Sequence, residues 1–134
     1  MTLNIRVIAP DKTVWDANAE EVILPSSTGQ LGILTGHIPL LTALDIGVMR
    51  VRIDKEWQPL ILLGGFAEIE SDKITILVNG VEETSNLDLN KIQSTLEEAS
   101  IALAEAETNK DKIEATQNLR KARARLQAIN VLNN

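Results

Sequence analysis

The chain has 134 residues and a mass of 14.7 kDa, enough for one domain or one domain with an appendage. Apolar side chains make up 44% and charged ones 24%, which excludes a disordered polymer, while a formal charge of −6 argues against a nucleic-acid binder. There is no cysteine, so disulfides, thiolate nucleophiles and cysteine–zinc sites are excluded. Trp15, Trp57 and Phe66 are the whole aromatic content, so the core must be aliphatic. The opening MTLNIRVIAPDK lacks the charged and apolar regions of a signal peptide, and the longest apolar run, Leu60 to Ala67, is far short of the roughly 20 residues that cross a bilayer. Contact with a membrane is therefore expected only through a partner.

All glycines and prolines lie before position 81, so turns are concentrated in the first part and a helix can run on in the second. Leu3, Ile5 and Val7 alternate with polar neighbours, the period of a half-buried strand. Pro10-Asp11-Lys12 turns the chain into a strand beginning at Thr13-Val14-Trp15. Glu21 to Leu24 forms the next strand, and Pro25-Ser26-Ser27-Thr28-Gly29 reads as a loop. Leu31 to Leu34 follows, then a turn at Thr35-Gly36-His37. Met49, Val51 and Ile53 alternate around Arg50 and Arg52, and Asp54-Lys55-Glu56 makes a polar turn. The continuous run Leu60 to Leu63 predicts a strand covered on both faces, and Gly64-Gly65 a bulge or a close backbone approach. After a turn at Ser71-Asp72-Lys73, Ile74, Ile76 and Val78 alternate once more. Short strands at this spacing predict an antiparallel β-sandwich or flattened barrel.

Beyond residue 84 the period changes. Leu89, Ile92, Leu96, Ala99, Leu103 and Ala106 are spaced as a heptad seam, and Ala115, Leu119, Ala122, Leu126 and Ile129 repeat it. The cap-type run Thr108-Asn109-Lys110-Asp111 separates the two stripes, which predicts an antiparallel two-helix hairpin; one uninterrupted helix is the alternative. The fold class is thus α+β, with a β-sandwich domain over 1–84 and a helical hairpin domain over 85–134. Leucine and isoleucine alternate with alanine on both stripes, so the helix axes can approach closely.

The charge is segregated. No acid follows Glu114, yet Arg120, Lys121, Arg123 and Arg125 fall within six positions, and they leave nine basic against 19 acidic side chains elsewhere, a balance of −10. These cations surround the Leu119–Ala122–Leu126 stripe. They read either as a solvated face that complements the helix dipole or as a docking surface for an acidic protein patch. No enzyme constellation accompanies them. His37 is a lone histidine in a Gly-His-Ile-Pro turn, no GxSxG elbow or phosphate loop occurs, and the paired acids are adjacent in sequence and diverge in space. Neither a catalytic nor a metal site is expected.

The stretch from Gly29 to Leu44, GQLGILTGHIPLLTAL, together with Gly64-Gly65-Phe66-Ala67-Glu68-Ile69 and the alanine-rich hairpin with its arginine-rich end, resembles the epsilon subunit of F-type ATP synthases. The likeness spans essentially the whole chain, and its two ends look most like the cyanobacterial and chloroplast branch. The resemblance implies a non-catalytic central-stalk subunit, peripheral on the stromal or cytoplasmic side of the thylakoid membrane and monomeric when isolated. Its sandwich would contact the gamma subunit and the c-ring through the turns that carry Gln30 and His37, coupling proton-driven rotation to ATP synthesis. Many relatives carry Glu where this chain has Gln30, so no charged contact is implied there. The hairpin would lie on the sandwich or extend along gamma, where Arg120, Lys121, Arg123 and Arg125 would meet acidic loops of the alpha and beta subunits and oppose ATP hydrolysis. Some bacterial relatives bind ATP between the helices through a pattern like Ile/Leu-Asp-x-x-Arg-Ala. Here Asp88 matches, but Lys91 and Ile92 depart from it, so ATP binding is expected to be absent or weak. A nucleotide-sensing module and a binder of anionic polymers are the competing classes, disfavoured respectively by those departures and by the −10 balance.

Overall fold

A computed structural model describes residues 2–133. Its strands are β1 (Leu3–Ala9), β2 (Lys12–Ala19), β3 (Glu21–Ser26), β4 (Gly29–Leu34), β5 (Leu40–Ile53), β6 (Glu56–Glu70), β7 (Lys73–Val78) and β8 (Val81–Glu82), followed by helices α1 (Leu89–Glu105) and α2 (Asn109–Leu132). The strand order is β2-β1-β7-β6-β5-β3-β4, with β8 continuing beside β6 where β7 ends. Inward-facing Leu3, Ile5 and Val7 from β1 meet Val22 and Leu24 from β3, Met49 and Val51 from β5, and Ile74 and Ile76 from β7 in one aliphatic core. Each such side chain contributes about 1.5–3 kcal/mol when removed from water.

The alternation that predicts β1 and β7 is seen directly in their burial. The turns at Asp54-Lys55 and Ser71-Asp72 place both residues at positive φ, as tight two-residue hairpins require. Three local expectations change. All neighbouring strands run antiparallel except β1 and β7, which pair in parallel from Asn4↔Lys73 to Ile8↔Leu77; no local turn joins them, so nothing near either strand dictates its direction. Pro25 and Ser26 belong to β3 rather than to a loop. The proline is tolerated because the ladder to β5 is interrupted between Ile23 and Ser26, and the Ser26 hydroxyl donates to the Gly29 carbonyl at 2.6 Å, closing a shorter turn. Strand β5 also starts earlier than its Met49–Ile53 alternation indicates, at Leu40.

The reason lies at the double glycine. Leu62 and Ala67 on β6 both face the core, as do Leu44 and Met49 on β5, although each pair is separated by an odd number of positions. A regular strand returns to one face only at even spacing. Both strands therefore slip by one residue at the Asp45–Gly64 step while pairing continues on either side, Leu44↔Gly65 and Ile46↔Leu63. Gly64 and Gly65 absorb the slip at φ 85° and 150°. The slip directs Ala67 inward and leaves Phe66 outside.

On the outer face of the same ribbon, Ile61 and Val48 are buried beneath Ala124 and Ala128 of α2. The Leu60–Leu63 run is thus covered on both faces, one by the sandwich core and the other by the hairpin. Asp88 caps α1, its carboxylate accepting from the backbone N–H groups of Asn90 and Lys91 at 2.9 and 3.3 Å. Thr108 caps α2 by accepting from Asp111 N–H at 3.1 Å. The break between the helices is therefore residues 106–108 alone, and Asn109-Lys110-Asp111 forms the first turn of α2 rather than a loop. The helices pack antiparallel through Ile92, Ala99, Ala115, Leu119 and Ala122, all buried.

Candidate functional site: the docked hairpin and the exposed end of the sandwich

Helix α2 has two contact faces. The seam predicted from the heptad spacing holds Ile92, Leu119 and Ala122 fully, whereas Leu96, Leu103 and Leu126 are half-buried. Leu89 departs from it and remains 42% exposed, while a small-residue stripe near the end of α2 turns toward the sandwich. That stripe, Ala124 and Ala128, is the contact that sequence reasoning missed. Its only signal is a pair of alanines four apart, which the larger residues of the seam mask.

The four basic residues do not form one surface. Arg120 and Arg123 are exposed, while Lys121 and Arg125 are partly covered. Arg125 donates from Nε to Glu82 Oε1 at 2.7 Å and from Nη2 to Oε2 at 2.8 Å, a two-pronged bond from α2 to β8. Hydrogen bonding from Arg125 holds the Glu82 carboxyl below its ordinary value of 4.5 against the opposing effect of burial, and the Lys121 charge adds to the lowering.

Gln30 and His37 are not brought together. Gln30 is exposed near the start of β4, its Oε1 accepting from Arg50 Nη2 at 2.9 Å. His37 follows the other end of that strand, with Nδ1 at 2.7 Å from the Ile38 carbonyl oxygen. About 14 Å of strand separates Gln30 from Leu34. The connection carrying His37 is tied to the β6–β7 turn by a 2.7 Å bond from Gly36 N–H to the Asp72 carboxylate. Around it the sandwich leaves apolar side chains in solvent: Ile38 is 74% and Leu41 69% exposed, and Phe66 lies in register between Ala43 and Leu77. Such a cluster on an otherwise polar surface marks a place for a protein partner.

The positions of the nucleotide-binding pattern are occupied structurally. Asp88 is spent on the α1 cap, worth about 1 kcal/mol, and Ile92 is buried in the interhelical seam. The shallow cleft between the helices is lined by Glu98 as well as Lys121 and Arg125. Among the described residues no group of three or more His, Cys, Asp or Glu side chains could hold a metal ion, and no helix is long and apolar enough to cross a membrane.

The two parts, a sandwich and a two-helix hairpin laid on one of its faces, each match a known family of domains. Residues 2–84 match the family model described as the ATP synthase delta/epsilon chain beta-sandwich domain, and residues 85–130 match the delta/epsilon chain long alpha-helix domain. The chain belongs to the ATP synthase delta/epsilon chain family. The chloroplastic ATP synthase epsilon chain of Gracilaria tenuistipitata var. liui is 75% identical over 134 residues, covering all of both chains. The ATP synthase epsilon chain of Thermosynechococcus vestitus is 61% identical over 131 residues, covering 96% of this chain and 95% of that one. The fold also matches a chain in the structure of the Euglena gracilis mitochondrial ATP synthase (OSCP/F1/c-ring) with a TM-score of 0.83 at 18% identity, over 96% of this chain and 81% of the other. The relatives place the chain in the chloroplast and cyanobacterial branch, as a subunit of the complex that is not itself catalytic.

Proposed function

We propose that this chain is a central-stalk subunit whose sandwich couples rotation to ATP synthesis and whose hairpin restrains ATP hydrolysis. The carrying observation is the way the two parts meet: the hairpin rests on β5 and β6 through the small cluster Val48, Ile61, Ala124 and Ala128, flanked by one two-pronged ion pair. A contact of that size is reversible. The exposed end around His37, Ile38, Leu41 and Phe66 serves the gamma subunit and the c-ring, with Gln30 at a separate edge of the same assembly. Arg120, Lys121, Arg123 and Arg125 meet acidic loops of the alpha and beta subunits when the hairpin extends. The protein is held at the thylakoid membrane by these partners, on its stromal or cytoplasmic side.

The test adds either the intact chain or a chain stopped after Glu83 to the catalytic complex lacking this subunit. The aliphatic core lies wholly within β1 to β7 and the residues packed on it end at Val81, so the shortened chain retains it. The intact chain is expected to suppress hydrolysis and the shortened one to bind without suppressing it. Equal suppression by both would remove the hairpin from the mechanism.

ATP binding to the isolated protein is absent or weak. Lys91 lacks the planar fork of arginine, Ile92 fills the seam, and Glu98 repels a phosphate in the cleft. Equilibrium dialysis should find no occupancy at micromolar ATP; saturable micromolar binding would favour a nucleotide-sensing role instead.

A further inference from the structure

We propose that Glu82 is a latch for the hairpin, and that it holds Arg125 by occupying the edge of the guanidinium that an acidic partner would otherwise take. The proposal rests on the reading that the hairpin has a second, extended position. Glu82 lies on β8, directly opposite Ile61 in the β6–β8 pairing, and Ile61 is one of the residues on which Ala124 and Ala128 sit. The ion pair and the apolar contact are therefore neighbours and break together. Among the described residues it is the one ion pair that joins hairpin to sandwich; the other two, Arg6–Asp16 and Arg52–Glu21, lie within the sheet. Both side chains are about three-quarters covered, at 28% and 26% exposure, so the pair is less screened than an ordinary surface bridge.

Position sets the two uses of Arg125 in competition. A carboxylate bound to Nε and Nη2 fills one complete edge of the planar fork. A second carboxylate cannot share that edge, and the Arg125 side chain is only 28% exposed while the hairpin is docked, so docking on the sandwich and docking on an acidic partner compete for the same group. Arg120 and Arg123 are exposed in the docked state and have no ion-pair partner among the described residues. They can make a first contact with an acidic surface before the latch opens, and Arg125 then transfers from Glu82 to that surface.

The competition predicts effects of opposite sign from the two partners of one bond. Glu82→Gln and Arg125→Gln both release the hairpin, but only Glu82→Gln leaves Arg125 available to a partner. The chain has no native cysteine, so Asp11→Cys and Lys110→Cys can carry a donor–acceptor pair that reports the distance from sandwich to hairpin tip in the full-length protein. Each Gln substitution should raise the extended-to-docked ratio about tenfold, as expected for losing one partly exposed charge-assisted pair. The double exchange Glu82→Arg with Arg125→Glu should restore it. In the reconstituted catalytic complex, Glu82→Gln should strengthen suppression of ATP hydrolysis and Arg125→Gln should weaken it. An unchanged distance distribution in Glu82→Gln, or no recovery in the double exchange, overturns the latch. A distance shift with rescue but no change in hydrolysis leaves the latch standing and overturns the reading of the hairpin as inhibitor.

Discussion

Replacing Gly65 by alanine is expected to cost the sandwich about 3–5 kcal/mol, a large share of the stability of a domain this size. A Cβ at this position would overlap the Leu77 carbonyl oxygen and lie 2.8 Å from Val78 Cα, and both obstacles are backbone of the paired strand. The residue also sits at φ 150°, where an L side chain is strained. The chain cannot relieve the clash by moving a side chain, because β6 and β7 are hydrogen-bonded partners there, Gly65↔Val78. Relief would require loss of the slip that sends Ala67 inward and Phe66 outward, and so a rearrangement of the core. Urea unfolding measures the change. Gly32→Ala is the control: no atom lies within 4 Å of its added Cβ and its φ is not positive, so the change is expected to be neutral or to stabilise by up to about 1 kcal/mol. Equal destabilisation by the two variants would show that the close approach at Gly65 is not what the fold depends on.

The second large effect is on domain association rather than folding. Ala128→Glu places a carboxylate in a fully buried position against Val48 and Ile61. Left in place, an unpaired charge there would cost several kcal/mol. The hairpin can instead leave the sandwich, so the observed penalty is capped at the free energy of docking. The expected result is a hairpin detached in nearly every molecule, with unchanged sandwich melting and nearly full helical circular dichroism. Helicity survives because the contact of α1 with α2 runs through Ala99, Ala115, Leu119 and Ala122 instead. Ala122→Glu should do the reverse and reduce the helical signal. If Ala128→Glu destroyed helicity as well, the two faces of α2 would not be independent.

These two sites differ in how visible they are along the chain. The paired glycines announce a backbone need wherever they occur, and the β1 and β7 alternations state which residues face inward, because both depend on neighbours in sequence. The parallel β1·β7 seam, the Ala124–Ala128 stripe and the Glu82–Arg125 bond are relations between distant segments; the last joins residues 43 apart. A glutamate in a polar linker and an arginine in a basic run each have an adequate local explanation, as solvated charges. The loop expected at Pro25-Ser26 misleads for a related reason. Proline and serine favour turns by local geometry, but an interruption in the neighbouring ladder makes room for them in a strand. The basic cluster was legible as a segment, whereas its division between solvent and Glu82 depends on where β8 lies.

The two-residue β8 has a mechanical consequence. It fastens the chain to β6 at Glu82, so any excursion of the hairpin begins there and is tethered by residues 83–88, which span at most about 20 Å. Helix α1, with 17 residues, adds about 26 Å, and the 24 residues of α2 measure about 36 Å. A hairpin that swings out still closed therefore carries its tip within about 46 Å of β8. One that unfolds at residues 106–108 into a single rod reaches roughly 80 Å. An extended arm would work as a ruler: the distance from β8 to whatever it touched would tell which of the two lengths was in use.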